Sequence, residues 1–232
     1  MTTGTGGSDD AAALQPTTSM YLFATEWLPT GIQRAALSTP MGRVERDTAC
    51  ANFVKCALLQ LAAEGLVELE LVSAPTTGGV IAFGGSSNVW VHPVAGSGAR
   101  RPGLEGRLLA ALAAVRPAEG RVDEWITSRS GEHPQGVRNI LREAQVLRSY
   151  RHPWDSIVNP MFTQVVERGL VAQRGLFVKR LVVTDEAQVA AFRPAFEATR
   201  ARFAALSEGD QVLVEAIVQD TLIFVRSHRD SS

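Results

Sequence analysis

"ANFVKCALLQLAAEGLVELELV", residues 51–72, decides how this chain is built. Its first half is apolar at nearly every position of a helical repeat: Phe53, Val54, Cys56, Ala57, Leu58 and Leu61 surround the axis, and Asn52, Lys55, Gln60 and Glu64 leave only a narrow polar stripe. A helix apolar on almost all sides is predicted to lie at the centre of a bundle. Gly65 supplies the left-handed residue that ends such a helix, and "LVELELV" then alternates like a half-buried strand. Asp47 stands where an N-cap is expected.

The same pattern returns downstream. "LAAEGLVELE" (61–70) and "VVERGLVAQR" (165–174) both place an acidic residue at a helix end, then Gly-Leu-Val, then a strand, so Gly65 and Gly169 correspond. "APTTGG" is turn chemistry, and "VIAFGGSSNVWVHPV" (80–94) supplies partner strands for the first unit. Further helices are predicted over "LEGRLLAALAAV" and over residues 137–148, with Val137, Ile140, Leu141, Ala144 and Leu147 on one face and Arg138, Arg142 and Gln145 on another. Asp123 and Glu124 read as the first turn of a helix. "AGSGARRPG" (95–103) and "SYRHPWDSIVNP" (149–160) read as loops. "MYLFATEWLPTGIQRAAL" (20–37) opens on a short element broken by Pro29 and Gly31. "FRPAFEATRARFAAL" and "DQVLVEAIVQDTLIFV" add two C-terminal helices, the second rich enough in Val and Ile to be part strand. The expectation is a mainly α fold, a helical core carrying two small helix-glycine-β-hairpin (winged-helix-like) units. Residues 1–19 are expected to be a disordered tail, 20–226 a single domain and 227–232 a second tail.

Composition narrows the function. With 23 basic and 24 acidic residues the formal net charge is -1, so nothing global marks a duplex nucleic-acid binder, and any anion site must be local. The basic residues are almost all arginine, as a GC-rich bacterial coding sequence would give. Cys50 and Cys56 are too far apart on one helix to be bridged, and His92, His133, His152 and His228 have no second ligand at metal spacing. No Gly-x-Ser-x-Gly elbow, His-Glu-x-x-His helix or Cys-x-x-Cys pair occurs. "GTGGSD" and "GSGARR" do not sit between a strand and a helix as a phosphate-cradling loop must. A non-catalytic protein without a cofactor is expected. The N-terminal stretch has neither the basic nor the apolar region of a secretory signal.

The densest local feature is "RSGEHPQGVRNILREAQVLRSYRHPW" (129–154), with five arginines against two glutamates and aromatic residues at its end. Arg138 and Arg142 are one helical turn apart, a spacing at which two guanidinium forks can grip one phosphate. Arg148, Arg151 and Trp154 extend the patch, and aromatic rings beside cations suit a lipid headgroup layer. The bland alternative is a solvated helix face pairing with Glu143.

The order of elements resembles the Golgi phosphoprotein 3 family over roughly residues 40–205. "CALLQLAAEGLVELEL" resembles that family's central helix, turn and strand, with Asp47 in the matching preceding position. "LLAALAAVRPAEGRVDEWITSRSGE" is similar to its helix, linker and tryptophan segment, and "VVERGLV" to its later helix end. The resemblance implies a mostly helical peripheral membrane protein that binds a phosphoinositide phosphate through one tryptophan and several arginines. Aligned on the central helix, the tryptophan falls at Glu45 and the first arginine at Val54, beside Lys55. The later arginine pair has no ungapped match, and Arg138 and Arg142 are the residues that could replace it. The sequence thus points to a cytoplasmic protein, peripheral on the inner membrane face, that binds an anionic lipid headgroup or a protein partner, with a homo-oligomeric state expected. A winged-helix DNA-binding regulator is the alternative, for which helix 137–148 reads better than the central helix.

Overall fold

A computed structural model describes residues 14–32, 35–72, 87–94, 101–114, 135–174 and 180–227. Within them the chain is mainly helical with small antiparallel sheets. The helices are α1 (Pro16–Leu22), α2 (Arg46–Ala63), α3 (Gly103–Ala114), α4 (Val137–Val146), α5 (Pro153–Glu167), α6 (Glu186–Ala190), α7 (Arg193–Gly209) and α8 (Gln211–Arg226). The strands are β1 (Ala36–Thr39), β2 (Gly42–Glu45), β3 (Val67–Leu71), β4 (Val89–Pro93), β5 (Gln135–Gly136), β6 (Val171–Arg174) and β7 (Arg180–Val183).

The apolar helix is the axis of the bundle. α2 packs against α8, α1, α5 and α3, and Phe53, Val54, Cys56, Ala57, Leu58 and Leu61 are buried. The Phe53 ring meets Tyr21 of α1 and Trp27 edge to face, at 5.8 and 5.9 Å between centroids. Both cysteines are free and buried among these groups; burial pushes the Cys56 thiol up to about 12, so it is no thiolate near neutral pH.

The two glycine-ended units close in the same way. Gly65 (φ +69°) donates to the Ala62 carbonyl and Leu66 N–H to that of Leu61; Gly169 (φ +68°) donates to Val166 and Leu170 to Val165. These are the paired bonds of a helix end capped by a left-handed residue. In each unit the leucine carbonyl then accepts from the residue that leaves the returning strand, Val94 N–H to Leu66 and Thr184 N–H to Leu170. The two hairpins are β3–β4, paired Val67↔Pro93 to Leu71↔Val89, and β6–β7, paired Val171↔Val183 to Arg174↔Arg180. Short β5 adds to β4 through Trp90↔Gly136. Neither glycine has space restrictions on a Cβ, so only the dihedral is at stake. Gly65→Ala and Gly169→Ala are each expected to cost about 1 kcal/mol in urea unfolding, the penalty of a side chain in the left-handed region.

Several elements differ from expectation, each for a local reason. α2 is capped by Glu45, whose carboxylate accepts from Asp47 and Thr48 N–H; Asp47 is the second residue of the helix, buried, and pairs with Arg46 (3.2 Å) and Arg226 (3.4 Å). α1 begins at Pro16, inside the stretch assigned to a tail, and buries Thr17, Thr18 and Ser19. The predicted loop 149–160 contains the start of α5: Pro153 occupies the first turn, where its missing N–H would have no partner, and Pro160 is carried by a helix whose Ile157, Met161 and Val165 are buried. Helix α3 likewise starts at Gly103, the last residue of a predicted linker. "DQVLVEAIVQDTLIFV" is helix almost throughout, because Ala216, Ile217, Asp220, Thr221, Phe224 and Val225 fall on one buried face and Asp210 caps Leu213 N–H. The hairpin β1–β2, paired Ala36↔Glu45 to Thr39↔Gly42, was not expected. Asp123 and Glu124 lie outside the described residues.

Candidate functional site

Helix α4 carries Arg138 and Arg142, and its neighbours divide them. Val137, Ile140, Leu141 and Ala144 form its buried stripe. Arg138 borders that stripe and turns inward, only 6% exposed, with Nε 3.4 Å from Asp220 Oδ1 on α8. Asp220 is itself fully buried: Oδ2 accepts from Asn88 N–H (2.8 Å) and Val89 N–H (3.0 Å), and Oδ1 from the Asn88 side-chain amide (3.2 Å). The Arg138 N–H donates to Ser87 Oγ at 3.0 Å, and Gly136 leaves the room Ser87 needs, since a Cβ there would lie 2.6 Å from it. Desolvation raises the Asp220 carboxyl, while the Asn88 and Val89 amides and the Arg138 charge pull it back. Arg138 therefore ties α4 to α8 and β4 and does not share a surface with Arg142.

Arg142, Arg148 and Arg151 are exposed, and they surround the corner where α4 turns into α5. Ser149 N–H donates to Val146 and Tyr150 N–H to Gln145, the closure already seen at Gly65 and Gly169, but here the left-handed residue is Ser149 (φ 52°). A serine at that position stores strain that glycine would not. Ser149→Gly is expected to raise stability by about 1 kcal/mol in chemical denaturation. Arg142, Gln145, Val146, Ser149 and Tyr150 line an open depression of about 610 Å³. Beside it Val146 is 68% and Leu147 41% exposed, so Leu147 does not share the buried face assigned to it. The one anion between residues 142 and 151 is Glu143.

Trp154 belongs to a neighbouring cluster and is partly buried against the core. The Arg46 guanidinium lies 4.0 Å from its ring centroid, and the His152 ring stacks on it at 4.5 Å and 7°. Arg46 is held in turn by Asp47, which also engages Arg226. With both stacking partners in place, Trp154 anchors the start of α5 and is not a free ring for insertion. Of the positions the family resemblance singles out, Glu45 caps α2 and Val54 is in the core. Arg46, His152 and Arg226 were missed because their common centre is reached only through contacts between distant segments. Val146 was not singled out, and Leu147 was assigned to the apolar face; α4 ends at Val146, which leaves Leu147 outside that face.

Exposed guanidinium groups beside exposed apolar side chains can attract a phosphate-bearing surface and seat shallowly in it. No described helix is long and apolar enough to cross a membrane. Compared with family models, with curated proteins and with solved structures, the chain matches none.

Proposed function

We propose that this chain is a peripheral, non-catalytic protein that binds anionic lipid surfaces through the α4–α5 corner. The observation that carries the reading is the exposure of Val146 and Leu147 between Arg142, Arg148 and Arg151. What sets this apolar pair apart from the other exposed apolar side chains is the ring of cations around it, which favours a partner rich in phosphate. In this mechanism the arginines neutralise headgroup phosphates while Val146, Leu147 and the Tyr150 ring enter the headgroup layer. Arg138 and Trp154 act indirectly, fixing α4 and α5 at the angle that presents the corner. The resemblance to the Golgi phosphoprotein 3 family points the same way, toward a phosphate-binding peripheral protein, by a different set of residues.

The test is co-sedimentation with neutral and with anionic vesicles, run beside a duplex-DNA shift at the same salt. Binding to the anionic vesicles alone, weakening as salt rises, is the expected result. A DNA shift without vesicle binding would replace this reading with the DNA-binding one, and no response in either would discard the corner as an anion site.

A further inference from the structure

Where α1, α3 and α5 meet, three buried oxygens from three helices face one another without a hydrogen-bond partner. They are Thr18 Oγ1, Glu105 Oε2 and Gln164 Oε1, and their residues are 0%, 0% and 5% exposed. Their convergence is fixed by Gly103, the first residue of α3 (φ +74°): a Cβ there would stand 3.2 Å from Glu105 Oε2, 3.2 Å from Thr18 Oγ1 and 3.3 Å from Gln164 Oε1. The other carboxylate oxygen, Glu105 Oε1, is already used, accepting Thr17 N–H at 3.0 Å. The cradle thus presents lone pairs to the space beside a missing side chain.

Leaving such groups buried and unmatched is unfavourable, most of all for a charged one. Glu105 is the acute case: burial raises its carboxyl, hydrogen bonds from the Thr17 side chain and from the Glu105 and Thr17 backbone pull it back, and the one neighbouring charge that acts on it among the described residues, Glu64, is negative and supplies no counter-ion. A water molecule would supply hydrogen bonds but leave the carboxylate charge uncompensated. A divalent ion would want more than one carboxylate, and the cradle has one. A hard monovalent cation takes lone pairs from all three oxygens and neutralises the one charge.

We propose that Glu105, Thr18 and Gln164 form a buried binding site for one monovalent cation of the sodium or potassium class, which clamps α1 to α3 and α5. The experiment is thermal unfolding of the full chain in sodium, potassium and tetramethylammonium chloride at equal ionic strength and pH. Tm should rise saturably, by about 5 °C at a cation concentration far above Kd, in sodium or potassium and not in the bulky tetramethylammonium salt. Which of the two gives the larger rise identifies the ion. Thr18→Val and Gln164→Leu should each abolish the difference between salts, a readout independent of any loss of stability the substitution itself causes. Thallium(I) soaked into crystals should give an anomalous peak within coordination distance of Glu105 Oε2. Equal Tm values in the three salts would overturn the proposal; if stability also fell as pH rose above the ordinary glutamate range, a proton on Glu105 would be the resident cation. A salt preference that survived both substitutions would place the ion elsewhere and overturn it equally.

Discussion

Replacing Asp220 with alanine should lower unfolding stability by about 3–5 kcal/mol, measured in urea or as a fall in Tm of roughly 10 °C. The magnitude follows from what is left behind. Arg138 would keep its buried position on α4 without the charge that faces it, and the backbone N–H groups of Asn88 and Val89 would lose their acceptor. Asp220→Asn retains an acceptor oxygen and should cost less. Arg138→Met combined with Asp220→Leu should recover much of the loss, because an apolar pair of similar volume often replaces a buried ion pair at little cost. If Asp220→Ala changed stability by under about 1 kcal/mol, the network would not be what joins α8 to α4 and β4.

The same network shows where sequence reading stops. The period of α4 was legible, and so was the charge of Arg138; its burial was not, because the acid that accepts it lies far along the chain on α8 and the amides that complete the site come from β4. Elements with a strong local signal came through: the all-round apolar α2 and the glycine-ended units whose closing hydrogen bonds match residue for residue. α8 also shows period outweighing propensity, since its valines and isoleucines suit strands yet sit at helical spacing. Elements whose support is tertiary were misread. Thr17 and Thr18 look like a polar tail until Glu105 of α3 accepts the Thr17 N–H, and Pro160 looks like a break until its helix buries Ile157, Val158, Met161 and Val165. The candidate site divides along the same line. Arg142, Arg148 and Arg151 announce themselves by charge alone, whereas the role of Trp154 depends on Arg46, which reaches it from α2.

That division sets the form of the decisive binding experiment. Arg142→Glu, Arg148→Glu and Arg151→Glu made together should weaken binding to anionic vesicles by about 100-fold or more, each arginine near such a surface being worth about 1 kcal/mol before repulsion is added. The folded state should be unaffected, since all three side chains are exposed and surface substitutions of this kind rarely move stability by more than about 0.5 kcal/mol. Arg138 must be left alone: Arg138→Glu would set an anion against Asp220 inside the protein, and a loss of binding would then report unfolding. Val146→Asn, on a side chain 68% exposed, removes the apolar contribution without changing the charge. If the arginines merely attract while the apolar pair seats, Val146→Asn should weaken binding at high salt as well as low, whereas the triple reversal should matter less as screening shortens from about 10 Å at 0.1 M to about 3 Å at 1 M. Vesicle binding unchanged in the triple variant, with Tm also unchanged, would remove the α4–α5 corner as the lipid-facing surface.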